Sequence, residues 1–313
     1  MKNFNHCESI YWVFTQLCND KCDHCYNLSG PDGERITTEE CLQIVDNLPD
    51  KLDRLILSGG EPLADKKKLF DILDALKGKY LGETQIMLQT NGDLMTGELL
   101  DLIIEKGVTR IDIASIDRYH KKKGERIEWL RELFISRGMK DDNTQPLIEM
   151  ETFLKHDLSF GFWGASEDMW LGGNWARGRA MEKDIWYKNP EHNFCAILSG
   201  AIGFLGGVEQ MPQEISIQLW KINPCCPGTY YPIGDARTEK ISNVLAKIAD
   251  NLVFKALNEG EPWKMGEHLG VSYEAAKEKT IELKSICLYC DYFFQHHMQP
   301  ESEKFIELPL YKY

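Results

Sequence analysis

The sequence predicts an α/β fold, in which a partial, TIM-like (β/α)6 barrel is followed by a smaller α+β module. From residue 10 to about residue 163, short β-rich apolar runs alternate with longer helical patterns, as in a parallel sheet built from βα units. After about residue 190 the pattern changes to loops that carry glycine, proline and cysteine. A chain of 313 residues is long enough for a large domain and a smaller one. We therefore assign residues 1–190 to the barrel and 191–313 to the module.

Six apolar runs in the barrel region are predicted as strands, and four amphipathic runs as helices. The predicted strands are Ile10–Thr15, Arg54–Leu57, Gln85–Gln89, Arg110–Ala114, Ile148–Phe153 and Leu158–Phe162. The predicted helices start at the capping residues Thr37 or Thr38, Asp65 and Thr96, and a fourth covers Glu125–Arg137. In the module, Glu214 to Ile222 alternates as a strand does, and amphipathic stretches lie near residues 238–257 and 272–285.

The composition indicates a globular protein that does not cross a membrane. Hydrophobic residues make up 43% of the chain, and no run approaches the roughly 18 apolar residues that a membrane helix needs. The N-terminus lacks the basic and apolar segments of a signal peptide, so we expect a cytoplasmic protein. A net charge of -13 disfavours nucleic acid as a partner, because binding a phosphate backbone requires a basic surface.

The cysteines form two groups at opposite ends of the sequence. In a reducing compartment, clustered cysteines indicate metal binding or catalysis before disulfides. Cys18, Cys22 and Cys25 follow the first predicted strand, at the strand end where barrel active sites are built. Three thiolates can ligate three irons of a 4Fe-4S cluster and leave the fourth iron open. The open iron can then chelate the amino and carboxylate groups of S-adenosylmethionine.

The spacing Cys-x3-Cys-x2-Cys, followed by the aromatic Tyr26, resembles the signature of the radical S-adenosylmethionine (radical SAM) superfamily. Further segments resemble family positions in the same order, namely Gly59-Gly60-Glu61-Pro62, Thr90-Asn91, Ser115 with Asp117, and a Gly-Arg-Ala element with Arg177 and Arg179. The resemblance implies that these residues bind the cofactor. It implies contacts from the glycine-rich segment to the methionyl amino group, from Ser115 and Asp117 to the ribose, and from one of the two arginines to the carboxylate. A zinc site with His24 as fourth ligand is the alternative for the triad.

The second group consists of Cys195, Cys225, Cys226, Cys287 and Cys290. Their arrangement resembles the twitch module, a shortened relative of the SPASM domain, and implies a second, auxiliary 4Fe-4S cluster. Four cysteines are enough for that cluster, and zinc held by four thiolates is the competing interpretation. If one of the adjacent pair Cys225 and Cys226 is a ligand, the other is a thiol that could return a hydrogen atom to a substrate radical.

The resemblance implies an enzyme that cleaves S-adenosylmethionine to a 5′-deoxyadenosyl radical, which abstracts a hydrogen atom from a substrate. We expect dehydrogenation or epimerisation of a small metabolite of the polyol or amino sugar type. The alternatives are a maturase that oxidises or crosslinks a ribosomally made peptide, and a non-catalytic iron-sulfur or zinc scaffold. A flavodoxin or ferredoxin is the expected low-potential electron donor.

Overall fold

The computed structural model describes residues 4–120, 124–141, 157–164, 173–207 and 210–298. The described strands are β1 (His6–Val13), β2 (Lys51–Ser58), β3 (Gln85–Thr90), β4 (Val108–Ala114), β5 (Lys140–Asp141), β6 (Ser159–Trp163), β7 (Glu214–Gln218), β8 (Lys221–Asn223) and β9 (Gly234–Asp235). The described helices are α1 (Thr38–Asn47), α2 (Lys66–Tyr80), α3 (Gly97–Glu105), α4 (Gly124–Ile135), α5 (Gly178–Glu182), α6 (Ile241–Ile248), α7 (Leu252–Asn258), α8 (Tyr273–Leu283) and α9 (Ile286–His297).

The predicted α/β architecture is confirmed. The strands form one sheet in the order β5-β6-β4-β3-β2-β1-β7-β8-β9. All pairings from β5 through β7 are parallel, whereas β7, β8 and β9 pair antiparallel. The carboxyl ends of the parallel strands therefore share one edge of the sheet, which is where ligands bind in such folds.

The strands of the predicted module extend the barrel sheet directly. Ile217 of β7 pairs with Trp12 of β1, and both side chains are fully buried. The hairpin that continues from β7 through β8 to β9 thus belongs to the same sheet as the barrel strands. The division of the chain at residue 190 stays a prediction.

Most predicted element boundaries lie within a few residues of those observed. Thr37 caps α1, since its hydroxyl accepts from the Glu40 amide at 3.1 Å and the Glu40 carboxylate accepts from the Thr37 amide at 2.8 Å. Asp65 is the N-cap residue of α2, as predicted, but its side chain makes no capping bond to the helix and instead accepts from Lys68 Nζ at 2.9 Å. The predicted strand Ile148–Phe153 lies outside the described residues.

The predicted helix near 272–285 ends earlier, and a further helix follows it. Lys284 ends α8 with a left-handed backbone at φ 60°, and Ser285 then caps α9 by accepting from the Cys287 amide. Cys287 and Cys290 consequently lie three residues apart on one helix, and so share a face. No helix in the described part of the chain has the length and apolar character to cross a membrane.

Candidate functional site

The three N-terminal cysteines lie on the loop that leaves β1 at the carboxyl edge of the sheet. Backbone bonds shape this loop: the Cys18 amide donates to the Gly30 carbonyl at 2.9 Å, and the Cys25 amide to the Cys22 carbonyl at 3.2 Å. Burial raises the pKa of Cys18 to about 12, and the nearby Cys25 thiol acts in the same direction. Burial also raises the pKa of the Cys22 thiol, and both other thiols add to that shift. The triad is therefore a set of neighbouring sulfurs.

The Gly-Gly-Glu-Pro segment after β2 lies directly on the backbone of the cysteine loop. The Gly60 amide donates to the Thr15 carbonyl and the Glu61 amide to the Leu17 carbonyl, both at 2.8 Å. A Cβ atom at position 60 would lie 2.5 Å from the Leu17 carbonyl oxygen. Only glycine permits this approach without movement of the cysteine loop.

Glu61 connects two of the predicted cofactor segments. Its carboxylate accepts from Thr90 Oγ1 at 2.6 Å, from the Asn91 amide at 2.7 Å and from the Leu63 amide at 2.9 Å. Burial raises the pKa of this carboxyl, and the three donors oppose that shift. The fully buried Glu61 thus ties the loop after β2 to the loop after β3.

A cavity of about 180 Å³ opens beside the triad at the carboxyl edge of the sheet. The predicted residues that line it are Cys18, Cys22, Cys25, Tyr26, Gly59, Gly60, Thr90, Asn91, Asp117 and Arg179. Four other predicted residues lie outside the lining. They are Glu61, Pro62 at the start of a 3-10 turn, Ser115, whose hydroxyl donates to the Asn91 carbonyl at 2.8 Å, and Arg177.

Sequence reasoning missed several cavity residues. The Tyr11 hydroxyl lies 2.8 Å from both Ser58 Oγ and Gln89 Oε1, at the floor of the cavity. The signal available was the polar hydroxyl of Tyr11 within an otherwise apolar run that ends at the cysteine loop. His120 was also missed, because nothing in the sequence shows that the chain turns so that the His120 side chain meets Asp117.

His24, Asp117 and His120 form a compact polar group in the cavity wall. His120 Nδ1 lies 2.9 Å from Asp117 Oδ1, and the two imidazole centroids are 4.7 Å apart. Burial lowers the pKa of His24 to about 4, and the neighbouring His120 acts in the same direction. The group offers three ligand atoms within 4.8 Å of one another, a spacing that one metal ion can span.

Four thiols of the second cysteine group lie together. Cys195 lies in a 3-10 turn, Cys225 follows β8, and α9 supplies Cys287 and Cys290. Burial raises the pKa of Cys290 well above its usual value, and Cys195, Cys225 and Cys287 all act in the same direction. All ten cysteines of the chain are free thiols in this structure.

Cys226 faces away from that group. Its Sγ donates to Glu214 Oε1 at 3.8 Å, and its amide donates to the Ser199 carbonyl at 3.0 Å. Burial raises the pKa of both Tyr11 and Tyr26, and the Cys226 thiol adds to the shift of each hydroxyl. Cys226 is therefore near the tyrosines of the cavity, whereas Cys225 is near the other cysteines.

The two predicted arginines serve different cysteine groups. Arg179 Nε donates to the Cys22 carbonyl at 2.8 Å, and its Nη2 donates to the Ser29 carbonyl at 2.6 Å. Arg177 instead forms a buried ion pair with Asp291, in which Nη1 lies 2.9 Å from Oδ2. Gly178 between them has φ 51°, and a Cβ atom there would lie 2.4 Å from the Tyr26 carbonyl oxygen.

Trp175 lies between the cavity and the second cysteine group. Its ring packs edge-on against Tyr26 at a centroid distance of 4.6 Å, and against Phe194 at 5.4 Å. Phe194 directly precedes Cys195 in the sequence. Segment 174–179 therefore contacts both cysteine groups.

The fold and the site together define a class: an α/β protein whose parallel sheet carries three thiols beside a ligand-sized cavity at its carboxyl edge. Residues 12–132 match the family model described as Radical SAM superfamily. This part of the chain is thus a radical SAM superfamily domain, as the cysteine spacing predicts.

Curated relatives match in the same part of the protein. An AdoMet-dependent heme synthase of Methanosarcina barkeri is 33% identical over 155 residues, which are 48% of this chain and 40% of the relative. A pre-heme d1 synthase of Dinoroseobacter shibae is 36% identical over 113 residues, which are 34% of this chain and 26% of the relative. The chain spans less than half the length of these relatives.

Among solved structures, a crystal structure of BtrN in complex with AdoMet and 2-DOIA is similar at 14% identity and a TM-score of 0.47, over 85% of this chain and 90% of that one. The native anSMEcpe structure with bound AdoMet and Cp18Cys peptide is similar at 13% identity and a TM-score of 0.47, over 89% of this chain and 99% of that one.

Proposed function

We propose that this protein is a radical SAM enzyme that dehydrogenates a small metabolite, with one 4Fe-4S cluster on the N-terminal triad and a second on the C-terminal cysteines. The observation that carries the proposal is the placement of two cysteine groups on either side of segment 174–179, with the cavity beside the first. When bound, the first cluster and S-adenosylmethionine would supply the 5′-deoxyadenosyl radical.

The residues of the cavity fit that cofactor pair. Cys18, Cys22 and Cys25 offer three thiols, which leave one iron of a cubane for the cofactor. Gly59 and Gly60 expose backbone to the cavity with no side chain in the way. Arg179 donates hydrogen bonds to the carbonyls of Cys22 and Ser29. It therefore stabilises the cysteine loop and leaves the thiols available as ligands.

The second cysteine group supports a cluster in preference to a single zinc ion. Among the described residues, no three thiols have their sulfurs within 4.8 Å of one another. The ligand atoms of His24, Asp117 and His120 do meet this spacing. Sulfurs around one zinc ion lie about 3.8 Å apart, because each Zn–S bond is about 2.3 Å long in a tetrahedral site. The ligand sulfurs of a cubane bind separate irons and do not need to lie that close together.

The position of Cys226 favours dehydrogenation over epimerisation. A cysteine that returns a hydrogen atom must reach the substrate, but Cys226 is 3% exposed and is not part of the cavity lining. Cys225 lies among the thiols of the second group and is assigned as a ligand there. With four protein ligands, that cluster would have no iron open to substrate and is assigned as an electron acceptor.

Three cavity groups are suited to hold a hydroxylated or amino-bearing substrate. Asp117 and His120 offer a hydrogen-bonded carboxylate and imidazole, and Asn174 offers an amide. A concave pocket lined by such groups suits a small metabolite such as a polyol or amino sugar. A flavodoxin or ferredoxin is the proposed electron donor.

The proposal is tested by anaerobic reconstitution with iron and sulfide, followed by incubation with S-adenosylmethionine and dithionite. We expect about eight irons per chain, and formation of 5′-deoxyadenosine. Candidate deuterated polyols, amino sugars and peptides are then screened for transfer of deuterium into that product. Absence of 5′-deoxyadenosine would refute the radical SAM activity and leave a non-catalytic scaffold, whereas deuterium transfer from a peptide alone would identify a maturase.

A further inference from the structure

Arg177 is a buried cation beside the second cysteine group. Its side chain is 2% exposed, and both of its terminal nitrogens lie 2.9 Å from the Asp291 carboxylate. Nη2 also donates to the backbone carbonyl of Cys287 at 3.3 Å. The guanidinium therefore contacts the backbone of Cys287, which is one proposed ligand. It also contacts the side chain of Asp291, which follows the proposed ligand Cys290.

Arg177 and Asp291 place opposite charges beside the proposed ligands, because Arg177 contacts the Cys287 carbonyl and Asp291 follows Cys290 in α9. The charged guanidinium therefore exerts an electric field on the site of the proposed cluster. Because the site is shielded from solvent, such a field is weakly screened.

We propose that Arg177, oriented by Asp291, raises the reduction potential of the cluster held by Cys195, Cys225, Cys287 and Cys290. This inference rests on the proposed second cluster. A reduced cluster carries one more negative charge than an oxidised one, so a fixed cation nearby stabilises the reduced form. Arg177 would thus make the second cluster a better electron acceptor, and Asp291 would offset part of that effect.

A comparison with Arg179 supports an electrostatic role for Arg177. Arg179 meets two backbone carbonyls of the cysteine loop and is suited to shaping that loop. Arg177 instead pairs with the carboxylate of Asp291, and the two side chains are only 2% and 5% exposed, respectively. A buried ion pair is costly to desolvate, and an apolar pair of similar volume often stabilises a fold as well or better.

The test is an anaerobic potentiometric titration of the reconstituted full-length protein, followed by electron paramagnetic resonance. Cys290→Ala identifies the signal of the second cluster by removing it. Arg177→Gln should shift the midpoint potential of that signal to more negative values, because the cation that contacts the Cys287 carbonyl is lost. Asp291→Asn should shift it to more positive values, because Arg177 is left uncompensated. The double variant should return toward the wild-type value.

Arg177→Lys keeps the charge and should stay near the wild-type potential. Arg137→Gln removes a half-exposed arginine that pairs with Asp101 on α3, and is the matched control with no expected shift. Shifts of the same sign in Arg177→Gln and Asp291→Asn, or no shift in either, would overturn the inference. If Arg177→Gln loses the cluster, the direction in which Asp291→Asn shifts the midpoint potential decides whether the inference holds. A wild-type iron content of about four would instead refute the second cluster itself.

Discussion

Cys225 and Cys226 are adjacent in the sequence, yet their thiols lie in different surroundings. Cys225 lies near Cys287 and Arg177, whereas Cys226 donates to Glu214 Oε1 at 3.8 Å and lies near Tyr11. We expect Cys225→Ala to lose about four irons per chain and Cys226→Ala to retain them, since only the first would remove a ligand. Iron and sulfide counts after reconstitution check this, and equal losses would contradict the assignment.

Cys22→Ala and Cys290→Ala should separate the two proposed clusters. Cys22→Ala removes a ligand beside the cavity, and we expect it to abolish formation of 5′-deoxyadenosine from S-adenosylmethionine. Cys290→Ala removes a ligand on α9 and should leave much of the cofactor binding intact while lowering the iron content. Both quantities are measured on the same reconstituted samples. The same iron content in Cys290→Ala and wild type would exclude a second cluster.

Gly60→Ala should impair the cofactor site more than the fold. The added Cβ atom would lie 2.5 Å from the Leu17 carbonyl oxygen, so the cysteine loop would have to move. We expect at least a tenfold loss of 5′-deoxyadenosine formation, since displacement of catalytic groups by about 1 Å can cost about a hundredfold.

Gly78→Ala is the matched control for Gly60→Ala. Gly78 lies within α2, and an added Cβ atom meets nothing within 4 Å. We expect a free energy of unfolding that is higher by about 0.5–1 kcal/mol, and unchanged formation of 5′-deoxyadenosine. Equal losses of activity in the two variants would show that the contact of Gly60 with the cysteine loop is unimportant.

Thr37→Ala should destabilise the protein by about 1 kcal/mol, because it removes the side-chain acceptor of the α1 capping box. Denaturant unfolding of the purified chain measures this change. Glu39→Ala, an exposed change in the same turn, should cost only a few tenths of a kcal/mol through the helix dipole. A larger effect at Glu39 than at Thr37 would contradict the capping geometry.

The sequence by itself located most elements of the sheet and several residues that line the cavity. Apolar runs and capping residues located β1 to β4 and the helices between them, because these signals are local. The triad and the segments at Gly59, Thr90 and Asp117 were predictable for the same reason, since each follows a strand and parallel strands end at one edge.

Only the tertiary structure decided which distant residues meet. Arg177 and Arg179 are two residues apart, but the left-handed backbone at Gly178 places their side chains at different cysteine groups. The pairing of β7 with β1, the contact of Arg177 with Asp291 and the separation of Cys225 from Cys226 likewise depend on long-range packing. Such contacts join segments that are far apart in the chain, and no local pattern encodes them.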